Sequence, residues 1–282
     1  MSNNKIQQTK AQQLHALHSN AKMLVLPNIW DPLGAALIEN LEYPAIATAS
    51  ASIAFTNGYD DGENMPFNDL LTLLTKIAKS VNIPVTADIE SGYANTDAEL
   101  QKNMEMIINT GIVGINIEDT NKQSGNLYTI ERQCQRIRLI RKVSEDMGIQ
   151  LFINARTDVY IKGNTFVTEE EKFEEIIKRG EAYVNAGADC IFPIVMKQKH
   201  EIRNLISALK CPVNILALPG VPDLKSLNEI GVERVSLGPG FLKIAIKSMK
   251  QLGEKLKNYE GLDEIIGNEI TSNYIVNLIT KK

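Results

Sequence analysis

Short apolar segments alternate with amphipathic helical segments along this chain, and the alternation occurs eight times. The apolar segments are nearly continuous and rich in Val and Ile, as expected for parallel strands buried on both faces. The predicted strands are Met23–Pro27, Ala45–Ser50, Pro84–Glu90, Gly114–Asp119, Leu151–Thr157, Cys190–Val195, Val213–Leu218 and Arg234–Gly238. Eight βα units in 282 residues predict an α/β fold of the (β/α)8 TIM-barrel type.

Helical periodicity between these strands supports the same architecture. It predicts helices at Asp97–Thr110, Thr129–Met147, Thr168–Ala186 and Lys199–Leu209. A doubly wound sheet is the rival fold, but there the first strand usually leads into a GxGxxG turn. Here the first strand leads into PNIWDPLGAALIEN, which lacks that pattern.

The chain shows no low-complexity linker, so we predict a single barrel domain over residues 1–282. Residues 241–282 would supply the last barrel helix and a helical tail. The tail contains a further apolar-periodic segment, Ser272–Thr280. This segment either caps its own barrel or packs on a partner subunit.

Composition excludes several classes of function. Lys and Arg number 30 against 34 Asp and Glu, a net charge of −4, and no basic stripe is present. A nucleic-acid partner is therefore not expected. No segment approaches the ~18 apolar residues of a membrane span. We expect a soluble, cytoplasmic protein that does not contact a membrane.

Acidic residues gather where the predicted strands end. Asp88 and Glu90 end the third strand, Glu118 ends the fourth, and Arg156 lies at the end of the fifth. Asp61 lies in the loop NGYDDGE after the second strand. Because active sites of (β/α)8 barrels form at the carboxyl ends of the strands, we expect these side chains to converge.

A cluster of carboxylates favours a hard divalent cation. Clustered carboxylates repel and raise one another's pKa unless a cation is present. Oxygen ligands suit Mg²⁺ or Mn²⁺. Strand alternation would place Asp88 and Glu90 on the same inward face, and Arg156 could bind a carboxylate or phosphonate through two hydrogen bonds. The alternative is that the acidic residues cap the helices that follow.

Other catalytic groups are poorly placed. The three histidines, His15, His18 and His200, fall in helical segments away from the strand ends. The three cysteines lie far apart, without a CxxC pair. Catalysis by a histidine base, a histidine-bound zinc or a cysteine nucleophile is therefore not expected.

Several segments together resemble one enzyme superfamily. They are LPNIWDPLGAALIE, YPAIATASASIA, GYDDGE, PVTADIESGYAN, GINIEDT and FINARTDVY. From about residue 26 to residue 243 the chain resembles the isocitrate lyase/phosphoenolpyruvate mutase superfamily. The resemblance implies a Mg²⁺-dependent barrel that acts on 2-oxo or 2-hydroxy acids through enolate-like intermediates. It also implies a homodimer or homotetramer in which the eighth helix is swapped between subunits.

The resemblance also implies roles for individual residues. Asp88 would bind the metal directly, and Asp61, Glu90 and Glu118 would act through metal-bound water. Arg156 would bind the substrate carboxylate. The implied substrate-binding turn after the second strand is Thr48, Ala49, Ser50 and Ala51.

Two differences from isocitrate and 2-methylisocitrate lyases narrow the implied activity. Those lyases carry a lid with a Lys-[Lys/Arg]-Cys-Gly-His motif, whereas the loop of residues 120–126 here reads TNKQSGN. They also have a Glu after the Phe-Pro of the sixth strand, where this chain has Ile194. An isoleucine cannot bind a third substrate carboxylate. Lys122 and Asn126 of the lid are the residues that could serve a phosphonate mutase or hydrolase.

Three hypotheses remain open at the level of the sequence. The first is a Mg²⁺-dependent enzyme that cleaves a C–C bond of an oxaloacetate-like or malate-like acid, as a lyase, decarboxylase or hydrolase. The second is P–C bond chemistry on phosphonopyruvate. The third is a non-catalytic barrel that binds a 2-oxo acid.

Overall fold

The chain folds into parallel strands surrounded by helices, and the computed structural model describes residues 3–19, 22–162 and 166–280. The strands are β1 (Leu24–Leu26), β2 (Asn28–Ile29), β3 (Ile46–Thr48), β4 (Val85–Asp88), β5 (Gly114–Glu118), β6 (Phe152–Thr157), β7 (Cys190–Pro193), β8 (Asn214–Leu216) and β9 (Arg234–Ser236). The first seven helices are α1 (Asn3–His18), α2 (Pro32–Asn40), α3 (Ser50–Thr56), α4 (Phe67–Lys79), α5 (Asp97–Asn109), α6 (Ile130–Asp146) and α7 (Val159–Lys162). The remaining helices are α8 (Glu169–Asn185), α9 (Lys199–Ala208), α10 (Leu224–Glu229), α11 (Gly240–Leu256), α12 (Leu262–Ile266) and α13 (Ser272–Thr280).

The strands follow one another around a barrel. β2 to β7 pair in chain order, and β8 pairs with β9, which in turn pairs with β1. A parallel bridge between Ile191 of β7 and Val213, just before β8, joins the two sets. Pro27, which has no N–H to donate, separates β1 from β2 within one extended segment. The strand order runs full circle, which confirms the predicted eight-strand (β/α)8 barrel.

Branched apolar side chains fill the barrel and the layer between strands and helices. Ile115 and Ile117 of β5 and Ile153 of β6 have no exposed surface. Burying one such side chain contributes roughly 1.5–3 kcal/mol to folding. The Val-rich and Ile-rich strands therefore account for both the sequence pattern and the rigid frame that carries the strand ends.

The helices predicted from periodicity begin and end close to the predicted residues, because capping residues define their ends. At the start of α5, the Thr96 hydroxyl accepts from the Glu99 N–H, and the Glu99 carboxylate accepts from the Thr96 N–H. Thr168 and Glu171 form the same reciprocal pair at α8. Each cap satisfies N–H groups that the helix itself leaves without partners.

Helix α1 covers the amino-terminal end of the barrel. Leu14 is fully buried and lies against Gly114, the first residue of β5. His18 stacks on Phe152, the first residue of β6, with ring centroids 3.9 Å apart. Burial lowers the pKa of His18 to about 3, so this imidazole is neutral at physiological pH. His18 is thus a packing residue, distant from the strand ends where chemistry is expected.

The C-terminal helices cover little of the rest of the chain. Helix α11 carries Ile244, Ile246 and Met249 with more than half of each side chain exposed. Helix α13 contacts α2, and its Leu278 is buried. The predicted tail helix is therefore present, and within this chain it packs on its own barrel.

Within the described residues, no helix combines the length and apolar character that crossing a membrane requires.

The contact between α1 and the barrel predicts an unequal effect of two Gly→Ala substitutions. In Gly114→Ala, the new Cβ would lie 2.7 Å from Leu14 Cδ2 and 2.9 Å from Thr86 Oγ1. We expect it to lower the free energy of unfolding by about 1–3 kcal/mol, as overpacking does. Gly253→Ala in α11 meets no atom within 4 Å, and its higher helix propensity should leave stability unchanged or raise it by up to about 1 kcal/mol.

Urea unfolding followed by circular dichroism measures both effects. Equal midpoints for the two variants would contradict the packing of α1 against the start of β5.

Candidate active site

A cavity of about 300 Å³ opens at the carboxyl ends of the strands. Nearly every strand contributes a side chain to it, directly or through the residues that follow. The residues that line it are Asn28, Ala49, Ser50, Ala51, Asp61, Asp88, Asn116, Arg156, Ile161, Phe192, Ile194, Val195, Leu216, Leu218, Ser236, Gly238 and Pro239. Larger depressions lie along α11 and α12, beside residues 148–150 and between residues 22–25 and 41–44, and these three are away from the carboxyl ends of the strands.

Asp88 is the carboxylate held most firmly in this cavity. It is the last residue of β4, and its backbone N–H donates to the hydroxyl of Thr48 at 3.0 Å. Its Oδ2 accepts a hydrogen bond of 3.0 Å from the hydroxyl of Ser50. Both contacts come from the end of β3 and the start of α3, so the neighbouring strand fixes the orientation of Asp88. Its other oxygen, Oδ1, faces the Glu90 N–H at a long 3.4 Å.

Asp61 joins Asp88 in the cavity from the loop between α3 and α4. Partial burial raises the pKa of Asp61, although the side chain keeps solvent exposure, and the charge of Asp88 raises it further. Two carboxylates that line one cavity make a site whose negative charge a cation would balance. Their oxygen donors are of the type that Mg²⁺ and Mn²⁺ bind.

Glu90 and Glu118 share one lysine. Lys122 Nζ lies 3.0 Å from Glu90 Oε2 and forms a second ion pair with Glu118. Burial raises the pKa of Glu90 to about 7 and also raises that of Glu118, and the positive charge of Lys122 opposes both shifts. The two carboxylates in turn raise the pKa of Lys122 despite its partial burial. Lys122 therefore stays protonated between them.

Glu90 lies beyond the end of β4, so the prediction that strand alternation places it on the same face as Asp88 is wrong. β4 ends at Asp88, and Glu90 has a left-handed backbone with φ of 53°. Its side chain reaches the loop before α4, where its Oε1 accepts from the Glu63 N–H at 2.9 Å, and the charges of Asp61 and Asp88 still act on its carboxylate. The prediction fails because the period-two rule applies within a strand and lapses at the turn that follows it.

Glu63 was not predicted, and it ties that loop to the site. Its Oε1 accepts from the Ser91 hydroxyl at 2.6 Å and from the N–H groups of Ser91 and Tyr93 at 2.9 and 3.0 Å. This carboxylate is therefore a local anchor that fixes the loop bearing Asp61. In the sequence, its place within the GYDDGE motif was the available signal.

Arg156 reaches the cavity from β6. Its Nη1 lies 3.1 Å from Glu118 Oε2, and its Nε donates to Asp158 Oδ1 at 2.6 Å. Although burial opposes the charge, Glu118 and Asp158 raise the pKa of Arg156, so the guanidinium stays charged. Two carboxylates thus hold its plane while part of the side chain faces the cavity.

Asp158 was not predicted, and it connects Arg156 to a buried network. Its Oδ2 accepts from the Thr120 hydroxyl at 2.5 Å, and its N–H donates to Asp119 Oδ1 at 2.9 Å. Asp119 Oδ2 accepts from Tyr183 at 2.8 Å and from Arg179 at 3.1 Å. Helix α8 therefore supports the orientation of Arg156 through two aspartates.

The predicted substrate-binding turn divides into two parts. Ala49, Ser50 and Ala51 line the cavity, and Ser50 begins α3. Thr48 does not line it, because its hydroxyl accepts from Asp88. The N–H of Ala49 points to the Ile29 carbonyl at 3.4 Å. In this structure, therefore, Ser50 and Ala51 present this segment to the cavity, and Thr48 supports it.

The lid is a short loop closed by a bridge between Thr120 and Leu127. Its Lys122 enters the charged cluster, as described above. Asn126 is exposed, and its carbonyl accepts from the Asn121 N–H at 2.8 Å within the loop. The structure thus brings Lys122 to the other predicted residues and leaves Asn126 outside.

In the part of the chain that the structure describes, no group of three Asp, Glu, His or Cys side chains has the spacing of a ready metal site. Glu90 and Glu118 pair with Lys122, whereas Asp88 and Asp61 line the cavity. Of the four carboxylates predicted to hold the metal, these two line the cavity and the other two stand behind it.

Comparison with known proteins places the chain in a family. The family model described as phosphoenolpyruvate phosphomutase matches residues 14–257. An uncharacterized protein of Mycobacterium tuberculosis (strain ATCC 25618 / H37Rv) is 30% identical over 224 residues, which cover 79% of this chain and 81% of that protein. Other matched proteins are named 2-methylisocitrate lyase and oxaloacetate decarboxylase.

Solved structures agree with this result. A protein from Burkholderia cenocepacia J2315, provisionally named a phosphonomutase, is 34% identical, has a TM-score of 0.82, and is covered over 99% of its chain and 87% of this one. A phosphonopyruvate hydrolase crystallised with oxalate and Mg²⁺ shares the fold, with 22% identity, a TM-score of 0.82, and 95% of this chain and 94% of that one covered. The chain therefore belongs to the phosphoenolpyruvate phosphomutase family, in the isocitrate lyase/phosphoenolpyruvate mutase superfamily of lyases, mutases and hydrolases.

Proposed function

We propose that this protein is a Mg²⁺-dependent enzyme that cleaves a C–C bond of an oxaloacetate-like or malate-like acid, as a lyase, decarboxylase or hydrolase. The observation that carries the proposal is one cavity that holds Asp88 and Asp61 together with Arg156. Such a site pairs a place for a cation with a fixed guanidinium, which together suit an acid with two anionic ends. The names of the matched decarboxylases and lyases support this class of reaction.

Asp88 and Asp61 are the residues that would hold Mg²⁺, or Mn²⁺ in its place. Their oxygen donors fit a hard cation, and Ser50 already fixes one oxygen of Asp88. When bound, Mg²⁺ supplies positive charge that stabilises the negative charge developing on the oxygen next to the breaking bond. Glu90 and Glu118 would contribute through water from behind the cavity.

Arg156 would bind the second carboxylate of the acid. Glu118 and Asp158 hold its guanidinium, so little side-chain entropy remains to be lost on binding. Lys122 stays protonated and holds the lid to the barrel through Glu90 and Glu118.

P–C chemistry on phosphonopyruvate is the second candidate. The position of Lys122 in the charged cluster favours it, because such an enzyme needs a lid cation beside the transferring group. The outward position of Asn126 counts against it. Loss of phosphonopyruvate turnover in Lys122→Ala, with Mg²⁺ binding retained, would favour this candidate over C–C cleavage.

The protein would act as a homodimer or homotetramer. Helix α11 exposes Ile244, Ile246 and Met249, and α12 exposes Ile265 and Ile266. Exposed apolar surface of this extent is typical of an interface between subunits. A second copy of the chain that exchanges its last barrel helix is the partner that the family resemblance implies.

The metal assignment predicts a selective loss in Asp88→Asn. Oxalate with Mg²⁺ should raise the melting temperature of the wild type by roughly 5 °C at about 100 times the Kd, and neither should do so alone. Asp88→Asn should lose this shift because the amide removes the charge that binds the cation. Differential scanning fluorimetry measures it, and Asp146→Asn on the exposed face of α6 is the control.

A full shift in Asp88→Asn would contradict the metal assignment. A shift in the wild type with no product from oxaloacetate, malate-like acids or phosphonopyruvate would favour a non-catalytic binding barrel instead.

The oligomer proposal predicts that charge on α11 disrupts assembly. The wild type should have a solution mass of two or four times 31.3 kDa by light scattering after size-exclusion chromatography. The double variant Ile246→Asp/Met249→Asp should shift toward 31.3 kDa, because it places two carboxylates in the interface. Val167→Asp, another exposed apolar site, is the control. A wild-type monomer would refute the proposal.

A further inference from the structure

The cavity has a polar side and an apolar side. Residues from β2 to β6 and the loops after them supply its charged groups and most of its polar ones. Phe192 lies in β7 and is followed by Ile194 and Val195, whereas Leu216 ends β8 and Leu218 comes two residues later. These five residues, called the apolar wall below, form one continuous side of the cavity.

Strand geometry holds the apolar wall in place. Phe192 lies within β7 and Leu216 ends β8, two neighbouring strands of the barrel, so the strands themselves position these two side chains at the cavity. Phe192 is the register partner of Arg156, so the apolar wall begins on the strand next to the one that carries Arg156. The Ile194 N–H donates to the Thr157 carbonyl at 3.2 Å, which carries the β6–β7 pairing past the end of β7.

Val195 adds an unusual backbone conformation to the wall. Its φ of 68° lies in the left-handed region, which a β-branched residue rarely adopts. Such conformations persist where the surrounding structure fixes them, and they concentrate at functional sites. Here the conformation keeps Val195 in the cavity lining immediately after Ile194.

The charges around the cavity limit the anionic groups that it can bind. Of the described residues that line it, the charged ones are Asp61, Asp88 and Arg156. A divalent cation on the two aspartates serves one carboxylate with its neighbouring oxygen, and Arg156 serves a second carboxylate. A third carboxylate would lie against the apolar wall with no cation, and such burial is unfavourable.

We propose that the substrate carries a neutral alkyl group on the carbon next to its carbonyl or hydroxyl-bearing carbon, and that this group packs on the apolar wall. The inference rests on the proposed function and narrows its substrate class. The substrate is then a 3-alkyl derivative of an oxaloacetate-like or malate-like acid. Tricarboxylic analogues are excluded by the same wall.

A matched pair of ligands tests the inference. 3-Isobutylmalate and isocitrate share the malate head, and their side groups have the same shape, but one ends in two methyl groups and the other in a carboxylate. We expect calorimetric titration with Mg²⁺ to show at least tenfold tighter binding of 3-isobutylmalate. Equal or tighter binding of isocitrate would overturn the inference.

A charge placed on the apolar wall should reverse the preference. In Leu218→Arg, isocitrate should gain at least tenfold relative to 3-isobutylmalate, because the new guanidinium can pair with the third carboxylate. Leu224→Arg, on exposed α10 and outside the cavity, should leave the ratio unchanged. An unchanged ratio in Leu218→Arg would also overturn the inference.

Titration with oxalate and Mg²⁺ separates the two levels of the proposal. Binding of oxalate without a preference for 3-isobutylmalate would overturn this inference and leave the proposed function standing. Absence of oxalate binding would overturn both.

Discussion

Repulsion among carboxylates at one end of the barrel is the constraint on which the rest of this structure depends. Burial raises the pKa of Asp61, Glu90 and Glu118, and the charge of Asp88 adds to this increase at Asp61 and Glu90. Such a cluster is stable only with positive charge nearby. Lys122 supplies that charge for the two glutamates, and no lysine or arginine of the described chain is paired with the two aspartates in the same way.

This division explains how the site is organised. The pair that faces Lys122 ties the lid to the barrel, whereas the pair in the cavity remains for a cation and a substrate. Arg156 borders both groups because it contacts Glu118 while lining the cavity. Asp158 accepts from Arg156 and donates its N–H to Asp119, and Asp119 accepts from Arg179 and Tyr183 of α8. The guanidinium is therefore held by a helix as well as by its own strand.

The apolar wall determines how a substrate would be oriented in the cavity. A substrate with charge at both ends of a short chain would place its neutral part where β7 and β8 end. The same strands that make the barrel hydrophobic inside also determine which part of a ligand the cavity tolerates. Substrate specificity would come from the residues at the strand ends, and the lid contributes the positive charge of Lys122.

The sequence predicts the elements that repeat and misses contacts that cross between loops. The eight strands follow from short apolar runs, and Asp88 and Arg156 follow from the rule that barrel chemistry lies at strand ends. Glu90 is misread because alternation stops at Asp88, where β4 ends. The roles of Glu63 and Asp158 are not apparent from the sequence because Glu63 bonds to Ser91 and Tyr93, and Asp158 bonds to Asp119 and Thr120, which are all distant in the chain. No local pattern in the sequence encodes such pairings.

The sequence also points to Ile194 and Lys122, but it does not indicate which residues surround them. Ile194 is notable because a glutamate is expected there, yet the rest of the apolar wall becomes visible only when β7 and β8 are placed side by side. Lys122 lies four residues after Glu118, a spacing that brings side chains together on a helix. Here a loop brings them together, so the spacing alone could not have predicted the contact.

The most direct test of the central claim is an anomalous difference map from crystals grown with Mn²⁺ and oxalate. We expect one strong peak between Asp88 and Asp61, with oxalate between that peak and Arg156. A peak at Glu90 and Glu118 with Lys122 displaced, or no peak at the strand ends, would contradict the division of the carboxylates on which the account depends.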